Sequence, residues 1–301
     1  MELGKEIGPL LSTSFTSWFS NKKLKLYFLI NAVLLVILGL TVTLSMGSIF
    51  KGLTGVSNPA QLFPALIGFY TSMFLVLAPI SLIIVLIDYL IISECLKIYK
   101  RKSQKIDIIR YIKLVFFPLV TGITAALSLF NIRWLLIGIA GLVIFIIGIV
   151  AAIFSPIVGG VLAIIGAIIM VAYYIIVIYN MVRLSMGCIA YVEGRGVFDA
   201  LRQSWKITKR NVWNIIIAFF VFVIIAWIIA IVSEIPAIIY AFVSTISTAI
   251  STGNANGLAG LNLFSDPVYI ILLMITYIVS AYIAIATSLF AVGIYNSLAK
   301  K

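Results

Sequence analysis

The sequence predicts an all-α integral membrane protein, a bundle of helices that cross the bilayer several times. Hydrophobic residues make up 63% of the 301 positions and charged residues only 10%, whereas soluble domains are about half apolar and about a quarter charged. Apolar runs of about 20 residues, each long enough to cross a hydrocarbon core of about 30 Å as a helix, recur along the chain. They lie near Leu26, Phe63, Val115, Trp134, Ile157, Val212 and Tyr269. The sequence shows none of the short alternating strands that are typical of a membrane β-barrel. We therefore expect one integral membrane domain over residues 1–301.

The segment before the first run, residues 1–23, is predicted to be an amphipathic helix that lies in the membrane interface. Its apolar side chains recur at helical spacing and share one face. They are Leu3, Ile7, Leu10, Leu11, Phe15, Trp18 and Phe19. Pro9 is a candidate interruption of this helix. The first apolar run is too long for the core of a cleavable signal peptide, and no small-residue cleavage site follows it, so we expect it to be retained as the first span.

The basic residues predict the orientation of the chain. All but two of the 21 lysines and arginines, the exceptions being Lys51 and Arg133, fall into four clusters. The clusters cover residues 5–25, 97–113, 183–210 and 300–301. Because Lys and Arg are retained on the cytoplasmic side of membranes, all four clusters are expected there. The chain is therefore predicted to be a multi-pass protein of the cell membrane with both termini cytoplasmic, and the connections 51–61 and 234–266 are expected outside.

This orientation restricts the number of crossings. Two neighbouring cytoplasmic clusters must be separated by an even number of crossings, yet three apolar runs lie between Lys113 and Arg183. They are residues 114–130, 134–154 and 157–181. The first two could form a re-entrant pair or one long broken span, and the sequence leaves open whether residues 114–154 cross once, twice or re-enter. We predict six crossings. The alternative has seven, which would leave the six basic residues of the third cluster outside.

Residues 194–210 are predicted to form an amphipathic helix on the cytoplasmic surface. Gly194 and Gly196 are expected to end the preceding span, and Asp199 then lies in a first helical turn, where the helix dipole favours an acid. On a helical template one face is formed by Phe198, Leu201, Trp205 and Thr208. The rings of Trp205 and Trp213 suit the headgroup level of a bilayer. The segment would therefore lead the chain along the inner surface and into the next span.

The run AYVEGRGVFDALRQSWKITKRNVWNI, residues 190–215, resembles the signature of the glycerophosphoryl diester phosphodiesterase membrane-domain family and of related multispan prokaryotic proteins. The residues that carry the resemblance are Glu193, Gly194, Ala200, Leu201, Ser204, Trp205, Thr208, Lys209 and Trp213. In the family, such a domain is joined to a phosphodiesterase whose metal-assisted chemistry relies on histidines. This chain contains no histidine. The resemblance therefore implies the membrane part alone, for which it implies no particular activity.

Few side chains of the predicted spans could carry chemistry. Without histidine, and with two cysteines far apart, neither a metal site nor a histidine-dependent triad is expected, and we predict no catalytic residue and no cofactor. Asp88 is placed near the inner boundary of its span, where it is expected to pair with Lys97 or Arg183 or, alternatively, to take part in coupling or gating. The hydroxyl side chains of the last span either line a polar groove or form hydrogen bonds between helices.

These observations favour a non-catalytic membrane scaffold or accessory subunit that organises partners or lipid. The alternative is a permease or exporter for a small amphiphile or lipid. The expected partners are the lipid bilayer, anionic lipid headgroups at the cytoplasmic face and possible protein partners in a membrane complex. Nucleic acid is not expected to bind, because the basic clusters come without a soluble domain that could shape a groove.

Overall fold

The structure is a computed structural model that describes residues 3–54, 59–129, 132–252, 263–264 and 266–299. Within these ranges the regular structure is helical, with no strand. The helices are α1 (Leu3–Thr16), α2 (Lys22–Thr54), α3 (Pro59–Ile98), α4 (Ile108–Ala126), α5 (Ile132–Phe154), α6 (Pro156–Leu184), α7 (Gly187–Glu193), α8 (Val197–Thr208), α9 (Val212–Thr252) and α10 (Pro267–Ala299). A short 3₁₀ turn, Ser17–Ser20, follows α1. The lysine pair at 300–301 lies outside the described residues, as do residues 55–58, 253–262 and 265 of the predicted external connections. The helices α2, α3 and α9 extend into the described parts of those connections.

Seven helical stretches of the described chain are long and apolar enough to cross a membrane. They are Lys22–Ser45, Leu77–Ile98, Ile108–Ala126, Ile132–Phe154, Pro156–Glu193, Val212–Ser251 and Pro267–Ala299. The all-α polytopic fold is thus confirmed. The chain forms two compact units: the first comprises Met1–Gly4, Lys100–Ile217 and Ile294–Lys301, and the second comprises Lys5–Tyr99 and Ala218–Gly293.

In the second unit, one carboxylate joins the beginning of α2 to the end of α3. Glu94 Oε1 lies 2.6 Å from Lys97 Nζ and 3.6 Å from Lys23 Nζ. Glu94 itself is buried, so both lysines approach it from the surface. The two helices therefore form an antiparallel hairpin whose basic ends lie together, as the orientation rule predicts for the first two clusters.

The N-terminal helix is present, and Pro9 lies inside α1 without ending it. Aromatic residues of α1 and of the 3₁₀ turn after it pack within the second unit. The Phe15 ring stacks on Phe222 with 5.5 Å between ring centroids, and the buried Trp18 ring lies 5.8 Å from Tyr282. Part of the apolar face that was predicted to meet lipid is therefore covered by protein. Placement of this helix in the interface stays a prediction.

In the first unit, α5 and α6 form a tightly packed antiparallel hairpin. Glycines allow the close approach. A methyl group added to Gly148 would lie 2.7 Å from Ala163 Cα, and one added to Gly138 would lie 2.7 Å from the Tyr173 ring. The close approach of α5 and α6 at these glycines is the packing that small residues provide between membrane helices. The 23 residues of α5 span about 35 Å, which is enough to cross a bilayer core of about 30 Å.

Helix α4 runs antiparallel along α7 and the end of α6. Near its beginning, Arg110 Nη1 donates to Tyr191 O at 3.0 Å. Near its end, Asn180 Nδ2 donates to Ala125 O at 3.2 Å, and Tyr173 Oη donates to Ala126 O. Helices α4 and α5 therefore follow one another in the same direction along α6 and α7. Whether residues 114–154 cross once, twice or re-enter, and therefore whether the chain crosses six or seven times, stays a prediction.

Candidate functional site

The family-like signature lies in the turn from α6 through α7 to α8, which we call the signature turn (residues 183–208). Helix α7 ends at Glu193, and Gly194 has a φ of +127°, a backbone conformation that residues with a Cβ atom rarely adopt. Gly196 then leads into α8 in an extended conformation, and Asp199 lies in the first turn of that helix. A helix is thus present within the predicted residues 194–210, after the two expected glycines, and its placement on the cytoplasmic surface stays a prediction.

Two hydroxyl groups of α8 bind the end of α6. Ser204 Oγ donates to the carbonyl oxygen of Arg183 at 2.7 Å, and Thr208 Oγ1 lies 3.1 Å from the same oxygen. Both side chains are fully buried. The last carbonyl groups of a helix have no partner within the helix, so a buried one needs an external donor. Ser204 and Thr208 supply it, which fixes α8 against α6.

The side chain of Arg183 lies between the same two helices. Its Nη2 donates to Trp205 O at 2.6 Å, and its guanidinium carbon lies 3.4 Å from the centroid of the Trp205 ring. Only 5% of Arg183 is exposed. Stacking of a planar guanidinium on an indole face is favourable, and more so where water is excluded. Trp205 therefore packs against Arg183, and its place at the headgroup level stays a prediction.

Glu193 joins three segments of the first unit. Its Oε1 accepts from Arg101 Nη1 at 3.0 Å and its Oε2 accepts from Tyr295 Oη at 2.5 Å. Arg101 Nε also donates to Asn296 Oδ1 at 2.9 Å. The charge of Glu193 is thus balanced by Arg101, and these bonds connect the loop after α3, the end of α7 and the end of α10.

A second arginine holds the loop of residues 101–107 against the signature turn. Arg110 Nη2 donates to Gly194 O at 3.0 Å, and its guanidinium carbon lies 5.1 Å from the centroid of the Tyr191 ring. The backbone N–H of Gln104 donates to Val192 O at 3.1 Å. Between the loop and the turn lies an open groove of about 440 Å³, lined by Lys102, Ser103, Gln104, Glu193, Gly194 and Arg195.

The structure brings together most, though not all, of the signature residues. Ala200 and Leu201 are fully buried on the face of α8 that also carries Ser204 and Thr208. Lys209 and Trp213, in contrast, are exposed, and 72% of Trp213 is accessible. On the predicted face of α8, Leu201 and Thr208 pack against protein, whereas Phe198 is 67% exposed.

Asp88 belongs to the second unit, in the stretch Leu77–Ile98, whereas Arg183 belongs to the first. The Asp88 carboxylate is half-buried and has no hydrogen bond or ion pair to any other residue that the structure describes. Lys97, one of its expected partners, pairs with Glu94. Among the described residues, no three Cys, Asp or Glu side chains are grouped so that they could hold a metal ion.

Sequence reasoning missed Arg101, Arg110, Tyr295 and Asn296. The two arginines lie in a cluster of seven basic residues, from which composition does not distinguish them. Tyr295 and Asn296 follow an apolar span and match no motif. Their partners are 81 to 195 residues away in sequence, so no local pattern could have connected them.

Comparison with protein-family models, with curated proteins and with solved structures found no match to this chain.

Proposed function

We propose that this protein is a non-catalytic membrane scaffold or accessory subunit that organises lipid or protein partners at the cytoplasmic face. The observation that carries the proposal is that the polar side chains of the signature turn form bonds to neighbouring helices. Arg183, Ser204 and Thr208 bind one another's helices, and the charge of Glu193 is balanced by Arg101. Side chains engaged in this way position helices, whereas a catalytic group must be able to reach a reacting atom.

The hydroxyl groups of α10 support the same proposal. Tyr282 Oη donates to Phe15 O at 3.2 Å, and Thr276 Oγ1 donates to Ser233 O at 3.3 Å. Tyr277 Oη lies 3.3 Å from Thr43 Oγ1. A polar groove for an amphiphile would need such groups to face its interior, yet these three form contacts between helices.

A permease is the second candidate, and Asp88 is the observation that favours it. An acidic side chain within a membrane helix is costly and usually marks a path for a substrate or a proton. The Asp88 side chain is half-buried, and it has no bonded partner among the described residues. Such a group is available to bind a cation or a proton.

Flux through reconstituted liposomes separates the two candidates. The liposomes would be tested with fluorescent fatty acids, a short-chain labelled phospholipid and a lipophilic cation. A scaffold is expected to give the flux of protein-free liposomes for the wild type, for Asp88→Asn and for Asp199→Asn, the last being a matched control at an exposed acid in α8. Flux that persists in Asp199→Asn and disappears in Asp88→Asn would contradict the scaffold proposal and show that the protein is a permease.

The scaffold proposal also predicts that partner proteins bind to this chain. Lysine-reactive cross-linking in native membranes is expected to recover the same proteins repeatedly through the exposed Lys206 of α8 and the exposed Lys209 directly after it. Arginine at both positions keeps the charge and removes the reactive amines. If the same cross-links were recovered from that double variant, α8 would not be the contact surface.

A further inference from the structure

The groove between the loop of residues 101–107 and the signature turn has two walls of fixed geometry. Lys102, Ser103 and Gln104 form one wall, and Glu193, Gly194 and Arg195 form the other. The bond from Gln104 N to Val192 O and the bond from Arg110 Nη2 to Gly194 O hold the walls together. A groove held in this way is preformed, so a ligand would not have to order it.

The groove carries uncompensated positive charge. Its one acidic side chain, Glu193, is balanced by the ion pair with Arg101. Lys102 and Arg195 are exposed, and neither has a carboxylate within salt-bridge distance among the residues that the structure describes. Asp199, in the first turn of α8, pairs with neither of them. Two cationic residues thus line one space together with a hydroxyl and a carboxamide residue, which is a suitable setting for a phosphate group.

Exposed apolar side chains flank both walls of the groove along the chain, and we call them the apolar rims. Ile108 and Ile109, four and five residues after Gln104, are 79% and 65% exposed, and Phe198, three residues after Arg195, is 67% exposed. Large apolar side chains at both rims would be covered by acyl chains in a bilayer, whereas a soluble phosphate would leave them in water. The volume of about 440 Å³ is within the range of small-ligand sites and accommodates a headgroup.

From these observations we propose that the groove binds the phosphate of an anionic phospholipid, with Lys102 and Arg195 as the cationic ligands and the acyl chains against the apolar rims. This inference rests on the proposed scaffold function and specifies the lipid class that the protein would hold. Gly194 permits the tight turn that places Arg195 opposite the loop.

The test measures the binding of dioctanoyl phosphatidic acid and dioctanoyl phosphatidylcholine to the full-length protein in detergent micelles. Saturable binding of the first lipid and at least tenfold weaker binding of the second are expected. Changing Lys102→Gln and Arg195→Gln together should weaken binding about 25-fold, since each basic side chain near a lipid phosphate contributes about fivefold. The matched control, Arg202→Gln with Lys206→Gln, removes the same charge from the exposed face of α8 and should change binding by less than about threefold.

Equal losses of phosphatidic acid binding in the two double variants would mean that surface charge alone attracts the lipid. That result would overturn the proposal of a specific site in the groove. If glycerol 3-phosphate competed for the groove as strongly as dioctanoyl phosphatidic acid does, the ligand would be a soluble phosphate and the lipid proposal would be overturned. A measurement on the wild-type protein avoids any effect of substitution on folding. In that protein, bound phosphatidic acid should slow acetylation of Lys102 more than that of Lys206. Equal protection would contradict the proposal. Because lipid binding and liposome flux are separate measurements, failure of this site and failure of the scaffold function are distinguishable.

Discussion

Replacing Gly159 with alanine is expected to weaken the α5–α6 hairpin, because the added methyl group would collide with the backbone of Ala152. That methyl carbon would lie 2.6 Å from Ala152 Cβ and closer still to the backbone N and Cα of Ala152. Ordinary van der Waals contact begins at 3.4 Å, so the helices must separate by at least about 0.8 Å. A gap of this size forfeits about a quarter to a half of the dispersion energy between each pair of atoms that it separates. Overpacking of this kind costs about 1–3 kcal/mol.

Gly160→Ala is the matched control, since nothing lies within 4 Å of the methyl group that it adds. Both substitutions bring the same gain in helix propensity, about 1 kcal/mol, which cancels when the two variants are compared. Unfolding would be followed in mixed micelles of dodecyl maltoside and sodium dodecyl sulfate, with tryptophan fluorescence as the signal. We expect the free energy of unfolding of Gly159→Ala to lie about 1–3 kcal/mol below that of Gly160→Ala. Identical unfolding curves would refute the close approach of the two helices.

Two further predictions concern single side chains. Arg183→Lys keeps the positive charge but loses the planar group above the Trp205 ring, so the free energy of unfolding should fall by about 1–2 kcal/mol and the fluorescence of Trp205 should change; an unchanged unfolding curve would contradict the stacked arrangement. At Asp266, the hydrogen bond from Tyr240 Oη, followed by bonds from backbone N–H groups, lowers the pKa below its ordinary value. A carboxyl group with a lowered pKa stabilises the fold while it is ionised. The contribution is therefore present above about pH 4 and is lost as the pH falls further. A ¹³C NMR titration of Asp266 should show its midpoint move up in Tyr240→Phe, and an unmoved midpoint would show that the hydrogen bond does not set the pKa.

Much of the helical architecture could be predicted from apolar run length, because the thickness of a bilayer sets the length of a spanning helix. Charge patterning also placed the beginning of α2 and the end of α3 at one end of a hairpin, which the shared carboxylate of Glu94 confirms. The position of α4 could not be predicted. It depends on bonds made by Arg110 and Asn180, and neither residue is distinguished by its neighbours in sequence.

The signature turn was predicted in part. Gly194 and Gly196 indicated the break, because glycine adopts backbone conformations that other residues avoid. On the predicted face of α8, Leu201 and Thr208 are buried against protein and Phe198 is exposed, and the placement of this helix on the membrane surface stays a prediction. Helical periodicity identifies an apolar face but does not tell whether lipid or another helix covers it, since both are apolar. The bonds of Ser204 and Thr208 to Arg183 likewise arise only from the folded arrangement.

The distance in sequence between α4 and its partner has a consequence for synthesis. Tyr191, which Arg110 contacts, follows it by 81 residues. At about 5–20 residues per second, the ribosome needs about 4–16 s to produce the residues from Arg110 to Tyr191. During this interval α4 meets the membrane with its docking surface still missing, and only its charges and apolar face can orient it. Until Tyr191 has been made, the basic residues of the loop before α4 are the only part of this contact that the positive-inside rule can act on.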